Sequence, residues 1–275
     1  MIQKIIHISD IHIPNTCEKR PYDEMISTFL DVLYEKEIKN NDPETIRIIV
    51  VGDIFHNKIK TTNEAQSIFH TFLNRCNSFC KTYIIAGNHD MLENNQNRMD
   101  SINPTFEIEN VYPNIIYLDK DLGFKSGYKI DDNIVLMLYC MHDSFAPVSI
   151  LHSDYPDKAF IGLYHGDVVG SLTDLGRKSD NGIDCNLFKE CDCVMAGHIH
   201  KRQEIIIDDK TPFVYAGSLF QQDAGEKING HGYEVWDLPN LSHHHVEVNN
   251  NYRIFKFKVN SYDDFKENKE TLINN

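Results

Sequence analysis

The chain has 275 residues, 41% hydrophobic and 25% charged, the balance of a globular protein with enough apolar side chains for a sizeable core. No run approaches the roughly 18–20 apolar residues that span a bilayer, and the opening MIQKIIHISDIH reaches Asp10 without a signal-peptide stretch, so no membrane is expected and the protein reads as intracellular. A formal net charge of −14 is the wrong sign for a free-standing nucleic-acid binder.

Lys4–Ser9 reads as a buried strand, followed by an amphipathic helix with Ile26, Phe29, Leu30 and Leu33 on one face. Ile46–Val51 is a second strand and ends at Gly52-Asp53. Thr61 and Glu64 have capping-box spacing. The helix they open repeats Ala65, Ile68, Phe69, Phe72, Leu73, Cys76, Phe79 and Cys80 at helical period, which makes Cys76 and Cys80 core residues. A third strand, Thr82–Ala86, runs into Gly87-Asn88-His89-Asp90. Further strands are predicted at Asn114–Leu118, Ile134–Met141, Ala159–Tyr164, Asp192–Ala196, Gln203–Ile207, Pro212–Ala216, Gly232–Asp237 and Arg253–Val259, with a short helix over Cys185–Glu190. Such elements pack as an α/β sandwich of mixed sheets with helices outside. A boundary is expected near Leu241, between a main domain at 1–240 and a C-terminal strand and polar tail at 241–275. The seven cysteines lack a second pair at zinc-finger spacing beside Cys191 and Cys193, as in a reduced compartment.

Five segments put Asp, His and Asn at strand ends: Asp10-Ile11-His12, Gly52-Asp53-Ile54-Phe55-His56, Gly87-Asn88-His89-Asp90, Tyr164-His165-Gly166 and Gly197-His198-Ile199-His200. In α/β sheets the strand ends are where ligands collect. Carboxylates, an amide oxygen and imidazoles suit borderline divalent ions, whereas calcium wants oxygen alone. Seven candidate ligands exceed one coordination shell but fit two ions sharing a carboxylate, roughly 3.5–4 Å apart, as phosphoryl displacement uses them. One such motif alone is more often a surface turn; five in order at strand ends are specific.

The ordered set D-x-H, G-D-x-x-H, G-N-H-D, H-G and G-H-x-H resembles the calcineurin-like metallophosphoesterases. The resemblance implies a four-layer α/β sandwich of two mixed β-sheets flanked by helices, and a dinuclear centre acting on phosphate esters. Carried over by position, Asp10, His12, Asp53 and His200 hold one ion, and Asp53, Asn88, His165 and His198 the other, with Asp53 bridging. His89 stays unligated and serves as catalytic acid. Manganese is the first expectation, with iron, zinc or magnesium as alternatives.

Gly52–His56, Ala86–Met91, the run Tyr215–Gln222, His231-Gly232-Tyr233 and Trp236-Asp237 are similar to segments of SbcD-type double-strand-break-repair nucleases, the later run especially to phage and large-virus forms. That likeness implies a DNA exonuclease and endonuclease acting on duplex ends and single strands, His56 as a second catalytic residue that positions the DNA end, an SMC-like ATPase as partner subunit, and a homodimer. The short stretch after Asn240 departs from full members, reading as a minimal or truncated capping region. Lys58, Lys60, Arg177, Lys178, Lys201 and Arg202 follow the motifs where flanking phosphates would lie. Two rivals stand beside the nuclease: a phosphodiesterase or phosphatase for small nucleotides, favoured by the acidic charge, and a catalytically quiet scaffold, against which the complete ligand set argues. His243-His244-His245 lies outside the motifs and reads as a polar loop or strand edge.

Overall fold

Strand residues alternate between two faces, and each face finds a different partner. In the computed structural model, which describes residues 1–17, 20–58, 60–92, 95, 97–173, 176–266 and 269, the first half contains β1 (Lys4–Ile8), α1 (Tyr22–Leu33), β2 (Ile46–Val51), α2 (Asn63–Phe79), β3 (Lys81–Ile85), α3 (Asn103–Phe106), β4 (Ile115–Tyr117) and α4 (Leu118–Asp121). Then follow β5 (Gly127–Asp131), β6 (Ile134–Tyr139), β7 (Ala159–His165), β8 (Cys193–Gly197), β9 (Gln203–Ile207), β10 (Thr211–Tyr215), β11 (Gly232–Asp237) and β12 (Ser242–Glu247). They form two six-stranded sheets, ordered β12-β11-β1-β2-β3-β4 and β5-β6-β7-β8-β10-β9.

Both sheets are mixed: β1 to β4 run parallel, with β11 antiparallel to β1 and β12 antiparallel to β11 at one side, and β6, β7, β8 and β10 run parallel with β5 and β9 antiparallel at the edges. Ile6, Ile8, Ile48, Val50 and Ile84 face α1 and α2. Their neighbours Ile5, Ile49, Val51, Tyr83 and Ile85 face the second sheet, meeting Leu136, Leu138, Leu163 and Met195. Val135, Met137, Phe160 and Val194 point outward under Phe188 and Tyr215. Strands covered on both faces read as continuous apolar runs, which is why they were legible. The outermost layer on the second sheet is built from short turns, including a 3₁₀ turn at Cys185–Phe188 where a short helix was predicted.

Two expectations need correction, one strand is additional, and one open reading is decided. The cap of α2 is Thr62, whose hydroxyl accepts the Ala65 N–H at 3.2 Å; Thr61 instead accepts the Gln66 amide. β5 was missed because Gly127–Asp131 is a half-exposed edge strand. It is fastened by Asp131, whose carboxylate accepts from Arg47, Lys81 and Tyr83 of the opposite sheet. β12 holds His243–His245 as an edge strand paired with β11, starting directly after Leu241. Residues 253–259, predicted as a strand, carry none. Their alternation stacks Phe255 on Phe257, and the Ile254 N–H donates to Gln221. Of the polar tail, residues 267–268 and 270–275 lie outside the described residues.

β12 is anchored by Glu234 of β11, which is fully buried and accepts from Arg202, His243 and His245. Burial pushes this carboxyl up, but the three donors outweigh it and hold it well below its ordinary value; Glu234 in turn raises His243. A depressed carboxyl stabilises the fold above its unfolded value and loses that contribution as pH falls through the folded one, while raised His243 contributes below its ordinary 6.5 and loses it as pH rises through the folded value. Glu234→Gln is therefore expected to lower stability by about 3 kcal/mol near pH 6, the low end for breaking a buried pair because Arg202 is half-open to water. Urea melts across pH should show the gap to the parent closing in acid. A gap independent of pH would mean that the ionised pair contributes nothing.

Candidate metal centre

The parallel strands of both sheets deliver the five segments to one place. Asp10 and His12 follow β1, Asp53 follows β2, Asn88 and His89 follow β3, His165 is the last residue of β7, and His198 and His200 follow β8. Asp10, His12 and His200 offer ligand atoms within 4.8 Å of one another, as do His12, Asp53 and His89, and Asp53, His165 and His198. His165 Nε2 lies 3.2 Å from Asp53 Oδ1 and 3.2 Å from Asn88 Oδ1, and His198 Nδ1 lies 2.8 Å from that same amide oxygen. His12 Nε2 lies 3.0 Å from His200 Nε2 and 3.6 Å from Asp53 Oδ2. His56 stands at the exposed mouth, its ring 5.5 Å from that of His12 and 5.9 Å from that of His89.

The backbone is bent hard to achieve this. Asp10, His12, Asp53 and His198 all have positive φ, at 51°, 51°, 52° and 93°. Left-handed non-glycine residues cost about 1–3 kcal/mol each and concentrate at functional sites. Gly87 is required by close approach, since a Cβ there would sit 2.2 Å from Asp53 Oδ1. Asp90 ties the second and third segments together by accepting the N–H groups of Ile54, Phe55 and Gly87.

Second partners fix the imidazoles. His165 donates Nδ1–H to the Val51 carbonyl at 2.9 Å, leaving Nε2 turned to Asp53 and Asn88. His200 donates Nδ1–H to Glu226 at 2.7 Å, leaving Nε2 turned to His12. Such outer partners orient metal-binding histidines and raise their basicity. Burial drives His12 well below its ordinary value and takes His198 down to about 4, so both stay neutral with lone pairs free. Burial opposes charge on His165 too, but Asp53 and Asp10 outweigh it and lift it to about 9. Burial works to raise Asp53, but His165 and His12 keep it far below the carboxylate range. Two buried carboxylates, an amide oxygen and imidazole nitrogens turned toward one another meet the donor requirements of a pair of divalent ions, which would displace the proton from His165.

A profile of the calcineurin-like phosphoesterases matches residues 3–202. The chain belongs to this family. It is also 31% identical over 265 residues to uncharacterized protein R555 of Acanthamoeba polyphaga mimivirus, covering 94% of this chain; it spans 19%, about a fifth, of that relative's length. Among solved structures, TT1561 of Thermus thermophilus superposes with a TM-score of 0.52 at 11% identity, covering 90% of this chain and 99% of the other. A dimetal phosphatase from Danio rerio superposes at 0.53 and 10% identity, covering 85% and 92%. At such identity the likeness is one of fold: the metallophosphoesterase α/β sandwich of two mixed sheets flanked by helices. The family is one of phosphoesterases, and the clusters at the strand ends have the donors that divalent ions take. No helix among the described residues is long and apolar enough to cross a membrane.

Two participants escaped sequence reasoning. Glu226 lies 26 positions after His200 in a polar loop, with no spacing to mark it. The run Tyr215–Gln222 carries a resemblance in sequence but no ligand-type spacing. It lines the site from behind: the Leu219 N–H donates to the Asp10 carbonyl and the Ser218 N–H to that of His200. Arg202, expected to face phosphates, is bound to Glu234 instead.

Proposed function

We propose that this phosphoesterase is a two-metal DNA nuclease acting on strand ends, with manganese as its working ion. Asp10, His12, Asp53 and His200 would hold one ion and Asp53, Asn88, His165 and His198 the other. Such a pair supplies Lewis acidity to both oxygens of an in-line displacement at phosphorus. The chain's own groups do the rest. His89 donates Nδ1–H to the His56 carbonyl at 2.6 Å, which orients its ring at the cleft, where it gives a proton to the leaving oxygen. Lys58, Lys60, Arg177 and Lys178 are exposed on loops leaving the site, which favours a polyanionic substrate.

The observation that carries the nuclease reading is His56, an exposed imidazole beside His12 and His89 that belongs to none of the three ligand groups. A small phosphodiester needs no such group. A duplex end must be unstacked and held in line, which costs a few kcal/mol. Replacing His56 with Ala is expected to depress cleavage of labelled duplex DNA about 10-fold or more beyond its effect on bis(p-nitrophenyl) phosphate or on single-stranded DNA. That factor is worth about 1.4 kcal/mol of positioning. An equal fall on all three substrates would leave the small-nucleotide phosphodiesterase, which the net charge of −14 favours. The same charge favours a partner subunit of a different kind, an SMC-like ATPase, that helps to hold the DNA.

A further inference from the structure

Beside Asn88, His165 and His198 the cleft opens into a cavity of about 300 Å³ whose remaining wall is mostly apolar, formed by Met141, Phe145, Tyr164 and Ile183, with the Asp167 carboxylate among them and Asn181 exposed at its rim. Phosphoryl chemistry alone has no use for such a wall. Phe145 is held in an unusual way. It and Ser144 are consecutive non-glycine residues in the left-handed region, at φ 59° and 58°, a conformation that is an outlier for a bulky side chain. The Phe145 N–H donates to the Cys140 carbonyl at 2.9 Å, and the Ser144 N–H to that of Met141 at 3.1 Å. Asp143 pins the same turn by accepting from Ser126 at 2.6 and 2.7 Å and from the Ala146 N–H at 3.3 Å. The Phe145 ring meets Tyr164 edge to face at 4.9 Å, which fixes its plane. Strained residues persist where their surroundings over-determine them, and ligand clamps are among those places.

We propose that Phe145 is the stacking wall for an unpaired nucleobase carried on the ester that the metal centre cleaves, with the Asn181 amide meeting the edge of that base. The proposal rests on the phosphoester reading above and names the substrate class for that site. Every base has a π-face, so an aromatic platform takes it without regard to sequence. Asn181 offers both donors and an acceptor. The cavity lies at the small end of the roughly 300–1,000 Å³ typical of ligand sites. It suits one nucleotide and no paired stack, so a terminal residue enters it only after leaving the duplex.

Two esters with the same leaving group test this: thymidine 5′-(p-nitrophenyl phosphate) and methyl p-nitrophenyl phosphate, each with the manganese-loaded protein. The protein is expected to prefer the thymidine ester in kcat/KM. Phe145→Ala should cut that preference about 5- to 100-fold, the range for loss of one base–aromatic stack, mainly through KM. Phe145→Leu keeps apolar bulk without a ring face and should fall in the same direction. Asn181→Ala, at an exposed position, should give a smaller loss, and these two carry the test if Phe145→Ala does not fold. No preference in the unmodified protein, or equal falls on both esters, overturns the base subsite and leaves phosphoesterase activity standing. Hydrolysis of neither ester by the loaded protein overturns the phosphoester reading itself.

Discussion

Replacing Asp53 with alanine is expected to abolish phosphoester hydrolysis and to strip the protein of bound metal. Asp53 is buried and belongs to two of the three groups that can hold an ion. Its Oδ1 also accepts the His89 N–H at 2.7 Å and faces His165, while Oδ2 faces His12. Losing a partner that merely orients a ligand typically costs 10–100-fold in affinity or activity, about as much as Glu226→Gln should cost through His200. Losing the shared carboxylate removes a ligand from both ions and the counter-charge of the surrounding imidazoles, so the effect should exceed that range. Asp53 sits at φ 52°, where alanine is strained and asparagine is tolerated. Asp53→Asn therefore separates the loss of charge from a backbone collapse. Metal analysis after dialysis against manganese is the deciding measurement. Two equivalents retained by either variant would remove Asp53 from the bridging position.

The convergence of the five segments was legible because each is a short contiguous motif at the end of an apolar run, and the apolar runs fix where strands stop. Ile49-Val50-Val51 says where β2 ends, and Asp53 then has little choice of place. What could not be read was anything made by long-range pairing of polar residues. Ser242–Glu247 has few apolar residues, and it becomes a strand because the buried carboxylate of Glu234 draws in His243 and His245. Arg253–Val259 has the better strand pattern and forms none, since alternation specifies an extended chain and says nothing of a free edge to join. Arg202 shows the same limit at a single residue: its place after the last motif suited phosphate, but the β11 carboxylate within reach decided its partner. Phe145 gave no signal at all, because a left-handed φ on a bulky residue is written in the turn around it and not in its own identity.

His89→Asn is expected to slow turnover by about 10²–10⁴-fold, the usual cost of losing a positioned acid, while both ions remain bound. The geometry makes this a demanding test. His89 lies in a possible ligand group with His12 and Asp53, so position alone admits it as a ligand, whereas the motif assigns it as the acid. Its backbone N–H contact to Asp53 survives any side-chain change, so Asp53 should keep its place. The lost contact is the Nδ1–H bond to the His56 carbonyl, which orients the ring. The two roles differ in their dependence on the leaving group. An acid matters most when the departing oxygen is a strongly basic alkoxide, as in DNA, and little for p-nitrophenolate, which leaves without a proton. The variant should therefore lose far more activity on a dinucleotide than on bis(p-nitrophenyl) phosphate, with an unchanged metal stoichiometry by titration. A missing equivalent of metal together with equal losses on both substrates would make His89 a ligand and return the search for the acid to His56.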